Sequence, residues 1–222
     1  LDFFTKYPPA ALSLRDNENY EAIRSVVPNA ISSICAAFLM GELSVANVNL
    51  GKPYIATSFY TGNEPSFKME GDDWSTFTMD YKKPTSLKMW NIYRHFEWLS
   101  PRPEFIRKHT IVRVRQETTM KFSHLIFRQK NSYCSMNPLA FLSIYKGCDF
   151  VVSDRVHVCV AGLSMGKPAL LVEVDNRSRL FDQKGIINRH PNGFMTINSE
   201  ALEVARAELL SYIEDSIRSA LK

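Results

Sequence analysis

Residues 148–173 read CDFVVSDRVHVCVAGLSMGKPALLVE, and this stretch constrains the fold more than any other part of the chain. Residues 150–153 are apolar and rich in β-branched side chains, which predicts a buried strand. Residues 156–165 carry apolar side chains at helical spacing, Gly166 stops the run, and Pro168 opens a second buried strand over 169–174. A strand–helix–strand unit of this kind belongs to a parallel sheet covered by helices, so the expected class is α/β. The two strands should lie side by side and parallel, with a right-handed crossover through the helix.

Between the first strand and the helix stand Asp154, Arg155 and His157, polar residues that a plain packing unit does not need. In open α/β sheets, ligands bind beyond the carboxyl ends of the strands, where the next helix points its first N–H groups outward. An arginine offers a rigid fork of donors and a histidine exchanges a proton near neutral pH. The corner therefore suits an anionic ligand. Competing readings are structural: Arg155 could close a salt bridge with Asp154 or Asp149, and His157 could cap the following helix. Arg177 and Arg179 follow the second strand and share its carboxyl edge, with surface positions at the start of a helix as the alternative. Arg15 and Asp16 could pair with each other. Arg128 and Gln129 have a weaker claim, after an expected strand at 124–127.

The composition narrows the classes. With 222 residues, the chain can bury a substantial core. It is 45% apolar and 23% charged, an ordinary globular balance. A net charge of +4 without a concentrated basic stripe gives no case for nucleic acid, although it is compatible with an anionic substrate. The basic cluster at 102–115 reads as a solvated face. Cys35, Cys134, Cys148 and Cys159 show no CxxC spacing and read as free thiols, a metal site or disulfide being the alternative. His95, His109, His124 and His190 lack ligand spacing, and neither GxxxxGK[ST] nor GxGxxG occurs. No metal and no cofactor is expected. With no signal-peptide pattern and no long apolar run, a cytoplasmic protein is expected, with the inner face of a membrane as the alternative. The chain opens Leu-Asp-Phe-Phe, which suggests a processed, trimmed or partial sequence.

Along the chain, residues 10–14 read as a strand, and Asp16 or Asn17 caps a helix over 18–27. Residues 31–40 are apolar and fit either a strand or a short buried helix. Residues 54–60 alternate as a strand; 62–85 read as a long loop; 87–99 read as a helix; 111–114 and 124–127 read as strands. Asn137 caps a helix over 138–146, and 199–221 form an amphipathic helix with Leu202, Ala205, Leu209, Tyr212, Ile213, Ile217 and Leu221 near one face. From residue 121 onward the alternation of strands and helices fits half of a doubly wound parallel sheet. The expected division is an N-terminal α/β segment at 1–50 and a Rossmann-like lobe at 51–222 that carries Arg155 and His157.

The block SDRVHVCVAGLSMGKPALL, extended upstream through NPLAFLSIYKGCDFVV and downstream through RSRLFDQKGI, resembles the polysaccharide pyruvyl transferase family over 137–186. A second segment, LSLRDNENYEAI at 12–23, resembles the family's arginine–aspartate segment before a helix. The pattern departs at Val156 and Val158, where a leucine and a small residue are usual. The resemblance implies a two-lobed, glycosyltransferase-B-like enzyme of which 1–50 would be a remnant of the first lobe. It implies transfer of a pyruvyl group from phosphoenolpyruvate to a saccharide or lipid-linked saccharide acceptor of a cell-surface or exopolysaccharide. His157 and Arg155 would be catalytic, and Arg15, Asp154, Arg177 and Arg179 would bind substrate. Two other readings stay open: a glycosyltransferase using a nucleotide-diphosphate sugar, with Glu173 gripping the ribose, and a non-catalytic sugar- or anion-binding module.

Overall fold

In a computed structural model the described residues are 2–59, 64–81, 102–115, 130–173 and 176–221. The expected helix at 87–99, the strand at 124–127, and Arg128, Gln129, His95 and His124 lie outside them. In chain order the elements are α1 (Asp2–Lys6), β1 (Leu12–Leu14), α2 (Asn17–Ile23), β2 (Ala30–Ser32), a 3-10 helix (Ala36–Glu42), β3 (Tyr54–Ser58), β4 (Ser66–Met69) and β5 (Phe77–Asp80). There follow β6 (Phe105–Ile106), β7 (His109–Arg115), β8 (Ser132–Cys134), α3 (Pro138–Gly147), β9 (Phe150–Ser153), α4 (Val156–Ser164) and β10 (Ala169–Leu171). A second 3-10 helix (Asn176–Asp182), β11 (Ile187–Arg189), β12 (Phe194–Ile197) and α5 (Ser199–Ala220) complete the order.

The main sheet runs β11-β12-β10-β9-β3-β7-β6, with β8 also paired to β7. Strands β9 and β10 are parallel neighbours, Val151 facing Ala169 and Val152 facing Leu170, with α4 as their crossover. The pairs β3–β9, β3–β7 and β7–β8 are parallel too. The expected parallel core is present, but its centre, β3, comes from well before residue 121. The chain runs outward from β3 to β7 and β8, then returns to the other side of β3 as β9 and β10. The order therefore reverses between β3 and β9, the kind of switch point beside which open α/β sheets bind ligands.

Successive strand residues point to opposite faces. Val151, Ala56, Val112 and Ala169 join a core with Phe38, Leu163, Tyr145 and Leu202 on the helical side. Phe150, Val152, Ile55 and Leu170 join Phe77, Met69 and Phe194 on the other. Every residue of β3 is buried, so the expected alternation over 54–60 is replaced by a strand covered on both faces. The second cover is a β4–β5 hairpin, in register Phe67 with Met79 and Met69 with Phe77. Residues 62–85 therefore contain regular structure where a loop was expected. Short strands of four residues interrupted by a 3-10 turn at Trp74–Thr76 leave little period to read. Phe77 stands edge-on to Phe150 and to Phe194, at 5.4 and 5.8 Å between ring centres.

Three other expectations are corrected. The apolar run at 31–40 splits into the end of β2 and the first 3-10 helix. After β10 the chain makes a 3-10 helix and an antiparallel β11–β12 pair instead of continuing with an α-helix. The apolar face of α5 is covered only in part: Leu202, Ala205 and Leu209 are buried and Tyr212 is half-buried, whereas Ile217 and Leu221 are exposed.

The helix ends follow their chemistry. Asn137 and Asn198 cap α3 and α5 through Leu139 N and Ala201 N. Gly166, with φ of +75°, takes the left-handed conformation that ends α4. A different glycine brings the first 3-10 helix against α4. A Cβ on Gly41 would overlap the Ser164 carbonyl oxygen at the end of α4 and crowd Arg206. Gly41→Ala is expected to lower stability by about 1–3 kcal/mol, the usual cost of overpacking, measured as a shift in urea midpoint at unchanged slope.

Candidate functional site

The site is built at the carboxyl end of β9. Ser153, fully buried, donates its hydroxyl to the Ser58 carbonyl at the end of β3, at 2.6 Å. The Ser153 hydroxyl oxygen in turn accepts the Arg155 backbone N–H at 3.0 Å. This bridge ties the end of β9 to the end of β3 where the chain turns into α4. Arg155 occupies the N-cap position with an extended backbone (φ −110°, ψ 119°), and no side chain caps the helix. The N–H groups of the first turn of α4 thus keep their outward polarity.

Against this corner lies a cavity of about 350 Å³, lined on its polar side by Asp154, Arg155, His157 and Arg177. Met40, Phe141, Leu142, Tyr145, Val158 and Ala161 give it an apolar wall. Asp154 is buried, at 4% exposure, and Arg155 is half-buried. Arg177 reaches the cavity from the second 3-10 helix. Asp149, the other carboxylate considered for Arg155, is met by His109 Nε2 at 2.9 Å, at the start of β9 and away from the cavity.

The β1–α2–β2 unit contributes from the side. Its two strands pair in parallel, Leu12 facing Ala30 and Leu14 facing Ser32. Asp16 does not pair with Arg15: its carboxylate accepts Asn19 N at 2.8 Å and caps α2. Arg15 reaches across instead, its Nη1 standing 3.2 Å from His157 Nε2. His157 is therefore not a helix cap; it sits in the first turn of α4 with its ring against a guanidinium. Because an arginine only donates, this contact requires a lone pair on Nε2, which puts the proton of a neutral ring on Nδ1. Arg179 does not line the cavity and pairs with Glu18 on α2.

Cys35, read from the sequence as an ordinary buried thiol, lies beside both residues. Burial alone would push its thiol up, but hydrogen bonding to His157, the Ala37 backbone and Arg15 lowers it overall. Cys148 and Cys159 are the contrast: burial pushes the first up to about 12 and raises the second as well. No local signal marks Cys35 as different, since its partners are distant in sequence. Tyr81, also missed, has a buried hydroxyl raised by burial and by the charges of Glu173 and Asp154. Among the described residues no cluster of three or more His, Cys, Asp or Glu could hold a metal.

The sequence matches the family model for polysaccharide pyruvyl transferase over residues 3–176. The chain belongs to the polysaccharide pyruvyl transferase family. The match takes in Arg15, Cys35, Asp154, Arg155 and His157, crosses the middle of the chain, and ends just before Arg177 and Arg179. Neither a curated protein nor a solved structure matches the chain. No helix among the described residues is long and apolar enough to cross a membrane.

The Ser153 bridge predicts a measurable cost. Ser153→Ala leaves the Ser58 carbonyl and the Arg155 N–H without their buried partner, and should destabilise the fold by about 1–3 kcal/mol in chemical denaturation.

Proposed function

We propose that the protein transfers the pyruvyl group of phosphoenolpyruvate onto two hydroxyls of a sugar in a cell-surface or exopolysaccharide, forming a cyclic ketal. The observation that carries this reading is the convergence of Arg15, Arg155, His157 and Arg177 at one strand end, within a chain of this family. Three guanidinium groups and an uncapped helix start favour a ligand with a carboxylate and a phosphate. The apolar wall of the cavity suits the methylene end of the donor.

The chemistry needs two proton movements. A sugar hydroxyl adds to C2 of the enolpyruvyl group while C3 gains a proton and becomes a methyl. Phosphate then leaves C2, and the second hydroxyl adds there to close the ketal. One hydroxyl proton ends on C3 and the other on phosphate, so the reaction is balanced without redox change. In this scheme Arg155 and Arg15 hold the donor's anionic groups, and His157 passes the proton to C3. Asp154 orients an acceptor hydroxyl. Arg177 closes the donor side, whereas Arg179 serves by fixing α2 through Glu18. Residues 1–50 stand for part of a first lobe, and residues 51–222 for the second lobe of a glycosyltransferase-B-like pair. The acceptor is a saccharide or lipid-linked saccharide.

Thermal-shift measurements separate the donor classes. Phosphoenolpyruvate should raise the melting temperature by mass action, and a nucleotide-diphosphate sugar should not. The opposite result would assign the site to a glycosyltransferase. Arg155→Lys keeps the charge and loses the fork, so phosphoenolpyruvate affinity in calorimetry should weaken by about 1.5–3 kcal/mol. An unchanged affinity would rule out a bidentate contact. His157→Gln still hydrogen-bonds but cannot titrate; it should lower turnover by about a hundredfold or more, with donor affinity nearly preserved. Near-parental turnover in that variant would remove His157 from the chemistry.

A further inference from the structure

The cavity beside Arg155 extends past its charged mouth, between two helices. On α3, Pro138, Phe141, Leu142 and Tyr145 line it at i, i+3, i+4 and i+7 spacing, so one face of that helix forms a wall. On α4, His157, Val158 and Ala161 line it, again from one face. Other residues of α4 meet the sheet: Cys159 Sγ bonds the Leu170 carbonyl, and a Cβ on Gly162 would overlap Val151. Exposure falls along the cavity. His157, Arg177 and Pro138 are exposed, whereas Leu142, Tyr145, Val158 and Ala161 are buried, Ala161 at 3%. The imidazole and the Arg177 guanidinium thus stand at the open end, with an apolar pocket beyond them.

We propose that this α3–α4 pocket receives the carbon end of an enol phosphate donor, and that Ala161 determines how large a substituent on C3 it admits. The inference rests on the reading of the protein as a pyruvyl transferase with His157 as proton donor to C3, and it adds the selectivity of the donor site.

His157 and Ala161 are four positions apart on one helix face, which places their Cβ atoms about 5–6 Å from each other. A carbon that takes its proton from His157 therefore has Ala161 as its next neighbour on the inner side. Alanine offers a single methyl there, and the surroundings are Leu142 and Val158. A sugar is a poor occupant of this space, because hydroxyls buried against such side chains lose their hydrogen bonds. The acceptor is therefore kept to the open side, near Pro138 and Phe141. At about 350 Å³ the cavity falls within the range of about 300–1,000 Å³ that holds whole small-molecule ligands, and it exceeds what a bare methylene fills.

The donor that uses this room is a 2-enol phosphate with an alkyl group on C3, of which 2-phosphoenolbutyrate is the simplest. Its transfer balances as that of phosphoenolpyruvate does. A sugar hydroxyl adds to C2 while C3 takes a proton and becomes the methylene of an ethyl group. The bond from C2 to the phosphate oxygen breaks, the second hydroxyl adds to C2, and its proton leaves with phosphate. Nothing is oxidised or reduced.

The test uses the full chain and two probes, phosphoenolpyruvate and 2-phosphoenolbutyrate, compared by calorimetry. The parent should bind both, with affinities within about tenfold of each other. Ala161→Val, which adds two carbons inside the pocket, should weaken the butyrate probe about tenfold or more beyond its effect on phosphoenolpyruvate, the scale that one methylene commands in an apolar pocket. Leu142→Ala opens the facing wall and should move the ratio the other way. The ratio is the readout because a merely structural change lowers stability without favouring one probe over the other. Should one variant fail to fold, the other and the parent decide. Phosphoenolpyruvate bound and the butyrate probe refused by the parent, or a ratio that no folded variant moves, overturns the pocket and leaves the donor reading standing. A nucleotide-diphosphate sugar bound and both enol phosphates refused removes the donor reading, and the pocket assignment falls with it.

Discussion

The corner of the molecule hangs on one hydroxyl. Ser153 lies in the interior, where an unpaired polar group is costly, and it resolves two demands at once. It gives its proton to the last carbonyl of β3 and receives the first N–H of the turn into α4. Both strands are covered on both faces, so neither can swing aside to find another partner. The backbone before α4 is thereby held extended, and the side chains that follow emerge at fixed places: Asp154 inward, Arg155 at the helix start, His157 in its first turn. A strand built from apolar residues cannot host chemistry. Its end can, because there the sheet stops and polar groups become affordable.

A second buried polar arrangement does comparable work at the far side of β3. Arg113 of β7, 1% exposed, grips Glu64 with Nε and Nη2 at 2.8 and 2.7 Å. It also donates to the carbonyls of Pro103 and Lys130 at 2.7 and 3.2 Å. Two charges taken out of water are stable here because the guanidinium meets the carboxylate with two N–H groups and two backbone carbonyls with others. The contacts draw three separate segments onto one strand, which keeps the sheet's β7 side in register while the β9 side carries the site.

What the sequence disclosed and what it hid divides along a physical line. Strand β9, helix α4 and strand β10 were legible because their periods are local and their stop signals, Gly166 and Pro168, are adjacent. The same holds for the Asn137 and Asp16 caps, each bonding to an N–H within three residues. The β4–β5 hairpin was not legible: its aromatic residues are recruited by Phe150 and Phe194, far off in sequence, and a four-residue strand has no period of its own. Strand β3 carries alternation in its letters but not in its burial, since both of its faces found covers. The site splits the same way. Asp154, Arg155 and His157 announce themselves as neighbours in a motif, whereas the contact of Arg15 with His157 spans 142 positions. Cys35 is the extreme case, a thiol like any other until the fold puts a guanidinium and an imidazole beside it.

The small β1–α2–β2 unit is mounted on the rest of the molecule in an instructive way. Helix α2 buries no residue. Polar contacts reach the unit from three directions: His157 of α4 meets Arg15, Arg179 meets Glu18, and Tyr212 of α5 bonds Leu12 N at 2.8 Å and also meets the Asn29 carbonyl. In mechanical terms this is a kinematic mount, in which a few separated supports define the orientation of a rigid body with little redundancy. Such a mount is accurate without being stiff. Each support is at least partly open to water, where an ion pair or hydrogen bond contributes only about a kcal/mol or less. Arg15 is thus seated to the tolerance of its supports, while Val27 and Ala30, buried within the unit, hold the unit itself together.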